Sequence, residues 1–209
     1  MVLAHRVFRR EFHQAADLVL QTRAGELRRA AEIARHVDLV TGILACHHSA
    51  EDDYLWPVML ARATMRADVV HRMEYQHERL GHYLDNVEML LSRWRRTAAA
   101  SVAGELSCAL RQLGKVLAEH LDDEEQHILP LAEQYLSKAD WAKLGEIAVA
   151  KIPAGQRFTA LGLLLEETTA AQARIFLTMM PLAARLRWQL TGRHRYARYI
   201  TRVHGDALL

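Results

Sequence analysis

Apolar residues recur at steps of three and four along most of the chain, the period of helices that bury one face. The pattern predicts a first helix over residues 2–22, ended near Gly25, and a second from Glu26 to Trp56-Pro57 with Ile33, Val37, Val40 and Leu44 on one face. A third helix, over residues 67–94, aligns Val70, Met73, His77, Leu80, Leu84, Val87 and Leu91; a fourth carries Leu106, Leu110, Leu113 and Leu117 on its way to Pro130 or Tyr135. The Ala-rich stretch 97–104 reads equally as helix or turn. Helices of this length rise roughly 30–45 Å. Four of them with short links predict an all-α, up-down-up-down four-helix bundle over residues 1–136.

Beyond residue 137 the pattern changes, and residues 137–209 read as a helical C-terminal extension packing on or beside the bundle. Asp140 reads as the cap of a new helix, residues 151–155 as a linker, and residues 160–179 as a further helix stopped by Pro181. The stretch 185–202 holds six arginines and no acid, interleaved with Trp188, Tyr196 and Tyr199. Such a pattern can meet nucleic acid, but the formal charge of the whole chain is only +2. An amphipathic helix with packed aromatics and solvated arginines is therefore the expectation, with no nucleic-acid partner. Ten glycines and four prolines in 209 residues are too few for a turn-rich β fold, and two cysteines, Cys46 and Cys108, make neither a disulfide framework nor a thiolate metal knot. No apolar stretch reaches membrane-spanning length, and the basic start of the chain is not followed by the apolar core of a signal peptide, so a cytoplasmic protein without a membrane partner is expected.

The chemistry appears where the seams continue. After Leu44 the next positions in step are His47, Glu51, then Tyr54 or Leu55, then Val58; after Leu117 they are His120, Glu124, then His127 or Ile128, then Leu131. In both helices a His and a Glu four residues on take slots where a bundle wants leucine, and residues i and i+4 share a face. Burying such pairs unaided costs several kcal/mol, roughly, and a metal ion converts that cost into bonds. The two segments match without a gap at an offset of 73 residues, with His, Glu and Pro at identical places, and His5 and His77 stand 72 apart on the preceding helices. This pattern reads as a duplicated helical hairpin that brings His5, His47, Glu51, His77, His120 and Glu124 to one centre. Four imidazoles and two carboxylates exceed the needs of one zinc. They suit two metal ions bridged by the glutamates and an oxo or hydroxo group, with a position left for a small ligand. Nitrogen and oxygen donors without thiolate suit iron, and manganese less well. No catalytic residue separate from the metal centre is expected.

These residues resemble the hemerythrin-like, HHE cation-binding family, over residues 1–136, and the segment from Trp141 on, with Tyr-Ala-Arg-Tyr at 196–199, resembles the tail of actinobacterial and mycobacterial members. The resemblance implies a four-helix bundle, a non-haem di-iron centre and a small diatomic or peroxide ligand; members have been linked to oxygen carriage, iron or oxygen sensing, peroxide decomposition and nitric oxide handling. Oxygen carriers of the family place two His four apart on the third helix, but Met73 stands four before His77 here. Tyr54 and His127 share the site-facing side of their helices and could supply the missing ligand or a supporting hydrogen bond. A phenolate would favour ferric iron, which tilts the expectation toward consumption of nitric oxide or peroxide over reversible O2 carriage or O2 and iron sensing. Glu125 and Asp52 follow the proposed carboxylates by one and could support a ligand. His13 is expected beside the site, and His36, His48, His71 and His82 in solvent. A ferritin-like alternative, with Glu74-x-x-His77, Glu124-x-x-His127, Glu11 and Glu51, would leave His5, His47 and His120 without a role.

Overall fold

Helix follows helix from Val2 to His204, with no strand among the described residues. The structure, a computed structural model, describes residues 1–205. The described residues form two compact units, 9–152 and 1–8 with 153–205.

Helix α1 spans Val2–Gln21, α2 Leu27–Ala50, α4 Ala67–Thr97 and α5 Ala100–Asp123; the short α3 covers Trp56–Arg62. Within residues 9–152 these helices pack antiparallel in pairs. Along α1 and α5, Ser107 Oγ donates to the Ala16 carbonyl at 3.0 Å and Arg111 pairs with Asp17 at 2.6 Å, while Arg9 reaches Asp122 and Glu125 at the far end. Along α4 and α5, Arg93 pairs with Glu105 at one end and Arg72 with Asp123 at the other. Arg95 of α4 pairs with Asp38 of α2. The turns that close α1 and α4 meet, with Gly25 N–H donating to the Ala98 carbonyl at 3.0 Å, and both residues have positive φ, +81° and +45°. Ala98 ends α4 in the left-handed conformation that closes many helices. The interior these helices share is filled by Phe12, Val19, Ile33, Val37, Leu44, Met73, Leu80, Leu106, Leu110, Leu113 and Leu117, all at most 1% exposed.

The second and fourth predicted helices are each interrupted by a π turn, at Glu51–Leu55 and Glu124–Ile128, before α3 and α6 (Leu129–Tyr135). The cause is local. Pro57 and Pro130 lack an N–H, and a proline ring in an α-helix strikes the carbonyl four residues back. The wider turn relieves this. Trp56 N–H bonds the Glu51 carbonyl and Leu129 N–H the Glu124 carbonyl, five residues back in each case. One extra residue enters the turn, so the buried positions that follow are Leu55, Met59, Ile128 and Ala132. Val58 and Leu131, which uninterrupted helical phase would bury, are only partly covered.

Helix α7 (Lys138–Lys151) packs on α2 and belongs to the same unit. Its cap is Ser137, whose Oγ accepts from Asp140 N–H, while Asp140 at the third helical position closes the box; Asp140 is not itself the cap. The helix expected over 160–179 is two: α8 (Arg157–Glu166) and α9 (Ala170–Met179). Thr169 breaks it, because its side chain caps Gln172 N–H and Gln172 caps Thr169 in return. Helices α10 (Leu182–Arg187) and α11 (Arg193–His204) follow. In this unit Trp188 lies between Phe158 and Tyr196, with ring centroids 6.0 and 6.4 Å away, and Tyr199 lies 6.5 Å beyond Tyr196. The aromatics interleaved with the arginines thus pack on one another. A Cβ on Gly162 would overlap the Tyr196 ring. We expect Gly162→Ala to destabilise this unit by about 1–3 kcal/mol, read as an earlier loss of Trp188 fluorescence in urea with α2 and α5 unaffected.

Candidate metal centre

Two buried carboxylates and a set of imidazoles meet where α2 and α5 run into their π turns. Glu51 and Glu124 are at most 1% exposed. Glu51 stands between imidazoles: its Oε1 lies 3.1 Å from His47 Nε2 and its Oε2 lies 3.6 Å from His77 Nε2. Glu124 Oε2 lies 4.0 Å from His120 Nε2. Donor atoms of His47, Glu51 and Glu124 fall within 4.8 Å of one another, as do those of His48, His77 and His120. His77 and His120 meet edge to face at 4.9 Å between centroids, while His48 stacks on His77 at 4.1 Å. His5 is fully buried on α1, in step with Phe8 and Phe12.

Two of the imidazoles are held from behind. His77 Nδ1 lies 2.8 Å from Asp52 Oδ1, which also accepts from Trp56 Nε1 at 3.0 Å. A carboxylate can only accept here, so the proton sits on Nδ1 and Nε2 presents a lone pair toward Glu51. His120 Nδ1 lies 2.8 Å from Gln76 Oε1, and Gln76 Nε2 donates to Asp123, whose carboxylate is held below its ordinary range by Arg72 and then by Gln76. Imidazoles oriented this way are the usual pattern behind a metal.

No hydrogen bond of good geometry reaches either oxygen of Glu51 or Nε2 of His77. Burial, and next the adjacent Glu124, push the Glu51 carboxyl well above its ordinary range. A cation supplies what these atoms lack. The donors are imidazole and carboxylate, with no thiol among them, so they fit a hard or borderline transition metal.

Some expected residues lie elsewhere. The Tyr54 hydroxyl donates to Asp140 at 3.2 Å, beside Arg62, which holds Asp140 well below the carboxylate range; burial and then Asp140 push the phenol up. His127 Nδ1 turns to Asp123 at 2.8 Å, Glu125 pairs with Arg9 at 2.9 Å, and His13 is exposed. The ferritin-like donor set is not assembled: Glu74 pairs with His71, and Glu11 lies 2.8 Å from His36 and also pairs with Arg10.

Two histidines expected in solvent are buried, which corrects that reading. His36 is paired with Glu11 in the core, and burial, which alone would raise that carboxyl, is outweighed by His36 and Arg10, so its pKa is lowered. His48 stands with His77 and His120 because α2 is covered on two sides, so neighbours 100° apart on its surface both face protein. The doublet His47-His48 directly before a duplicated acidic turn is the signal that the sequence offered. Gln76 had no periodic signal; it is visible only as the residue before His77.

A model of the hemerythrin HHE cation binding domain matches residues 1–132. The chain belongs to the hemerythrin HHE family. No curated protein and no solved structure matches it. HHE domains bind metal cations, and the His and Glu groups described here fit a metal site. No helix among the described residues is long and apolar enough to cross a membrane.

The raised Glu51 carboxyl fixes a sign for the metal-free protein. A carboxyl with a folded pKa above its unfolded one contributes stability below the unfolded value, and that contribution is lost as pH rises through the folded one. Metal-free protein should therefore become less stable from pH 4.5 upward at this group. Glu51→Gln should flatten that slope and stabilise the metal-free chain near pH 7.5 by about 1–3 kcal/mol, measured by urea unfolding at both pH values.

Proposed function

We propose that the protein holds two iron ions between His5, His47, Glu51, His77, His120 and Glu124, and uses them to bind and consume nitric oxide or hydrogen peroxide. The observation that carries this reading is Glu51, fully buried, with one oxygen toward His47 and the other toward His77. A carboxylate flanked by an imidazole at each oxygen would hold metal through both, and Glu124, with Oε2 4.0 Å from His120 Nε2, would add a second carboxylate from the matching turn. His5, buried on the same face of α1 as Phe12, supplies a further imidazole. In this reading α1, α2, α4 and α5 are the four rods of an up-down-up-down bundle, and the tail is of the actinobacterial kind. Manganese is the second choice of metal.

When bound, an iron pair supplies Lewis acidity and a two-electron capacity at one place. The chain does the rest. Asp52 and Gln76 fix the tautomers of His77 and His120, so that both Nε2 atoms point inward. Leu44, Leu55, Leu117 and Ile128, buried within one turn of the donors along the same two helical segments, suit a small uncharged ligand. Asp52 and His77 form a hydrogen-bonded pair that runs from a carboxylate 46% exposed to an imidazole 7% exposed, and it can hold a proton at Nδ1 beside the centre.

One observation favours a second reading, reversible O2 binding. His48 stands with His77 and His120, where it can replace the imidazole that Met73 withholds. A ferric sample with a phenolate-to-iron absorption band that Tyr54→Phe abolishes would mean Tyr54 turns from Asp140 to the metal, and would favour consumption. A band-free spectrum that His48→Ala alters would favour carriage. The iron reading itself is tested by elemental analysis of purified protein, with optical spectra before and after nitric oxide, peroxide, and dithionite followed by air. Two irons per chain and loss of peroxide or nitric oxide with turnover are expected; no stoichiometric metal would overturn the reading. Asp52→Asn should keep the fold and weaken iron affinity about 10-fold, measured by chelator competition.

A further inference from the structure

Beside the donor set, an open cleft of about 470 Å³ lies between α2 with its π turn and α4, lined by Ala45, Ser49, Asp52, Glu74, Glu78, His48 and His77. We propose that this cleft is the path by which ferrous iron reaches the buried donors, with Glu74 and Glu78 drawing the cation in and His48 passing it to His77 and His120. The proposal rests on the metal-centre reading above and adds the route that serves it.

Three observations on this face support it. Glu74 and Glu78 are four residues apart on α4, so they share a face, and His77 lies between them in sequence on the same wall. The opposite wall, on α2, has small residues, Ala45 and Ser49, again four apart, which leave the groove open beside His48. The inner end is an imidazole: His77 lines the cleft, is 7% exposed, and has no hydrogen-bond partner at Nε2. An exposed acidic pair alone would be an ordinary solvated surface. Here the acidic pair flanks an imidazole whose other nitrogen, on the inner side, faces Glu51 at 3.6 Å, so a cation drawn to the groove is one ring away from the buried donors.

The intermediate station is His48. It lines the cleft, stacks on His77 at 4.1 Å between centroids, and meets the His120 ring edge-on at 5.2 Å. An ion that exchanges water for its nitrogen is then one ligand exchange from either buried imidazole; no electron moves. Asp52 is engaged by His77 and Trp56, so it orients the wall. Glu74 also pairs with His71 at 2.8 Å, which holds its carboxylate at the rim of the groove.

The test is the rate of loading, not the final state. Metal-free full-length protein is mixed anaerobically with ferrous ions, and uptake is followed by quenching of Trp56, the indole that touches Asp52. Glu74→Gln/Glu78→Gln should load about tenfold more slowly at low ionic strength, with the difference vanishing at high salt, and should end with the iron content and spectrum of the wild type. Ser49→Leu, which narrows the groove without changing charge, should load slowly at every ionic strength. Wild-type rates in both variants would overturn the route while leaving the metal centre intact. A lowered final iron content in the Gln variant would also overturn it, since Glu74 or Glu78 would then be holding the metal in place of guiding it. Failure of the wild type to take up iron would instead overturn the metal-centre reading on which the route rests.

Discussion

Two carboxylates at the centre of an apolar helix bundle constrain everything else in the unit that holds them. Ionised and alone, Glu51 and Glu124 would repel one another where solvent cannot screen them. Protonated, they would still bury oxygens that need donors. Among the imidazoles around them, two have their outer nitrogens already committed, His77 to Asp52 and His120 to Gln76. An arrangement of acceptors and lone pairs facing inward with few protons between them is unstable as a hydrogen-bond network. It is stable as a ligand sphere, and the donor chemistry selects the kind of ion.

That constraint reaches out to the backbone. Both glutamates open π turns, and both turns are enforced by a proline six residues later. The turn carries Asp52 to the back of His77 and Trp56 to Asp52. In plain α-helical phase these residues would lie elsewhere around the helix. The prolines therefore do more than end a segment: they set the register of the face behind the candidate metal donors.

Much of this was legible in the chain. The steps of three and four gave the long helices, and the gapless match between the segments around His47-Glu51 and His120-Glu124 singled out the donors that the structure buries together. The π turns were not legible, because a step of five differs from one of four by a single residue and the prolines read as plain stops. The resulting phase change explains why Met59 and Ala132 are buried and Val58 and Leu131 are not. It also bears on Tyr54, whose hydroxyl meets Asp140 of α7, a helix that the sequence assigned to the extension. His36 and His48 were misread for another reason: a single narrow seam was assumed for α2, while α2 is covered from several sides and buries a wider stripe. The acidic partner of His36 is Glu11, 25 residues earlier on another helix, and no periodicity links such a pair.

The two imidazole supports are chemically unequal, and that inequality bears on function. A carboxylate behind His77 pushes electron density into its ring. An amide behind His120 does so less, although Gln76 is itself braced by Asp123 and Arg72. The sides of the centre thus differ in electron donation before any exogenous ligand arrives. A symmetric duplication in sequence has become an asymmetric site through residues the duplication does not repeat: Asp52 aligns with Glu125, and Glu125 has been drawn to the surface by Arg9. That inequality gives the candidate metal site two chemically different sides, one backed by a carboxylate and one by an amide.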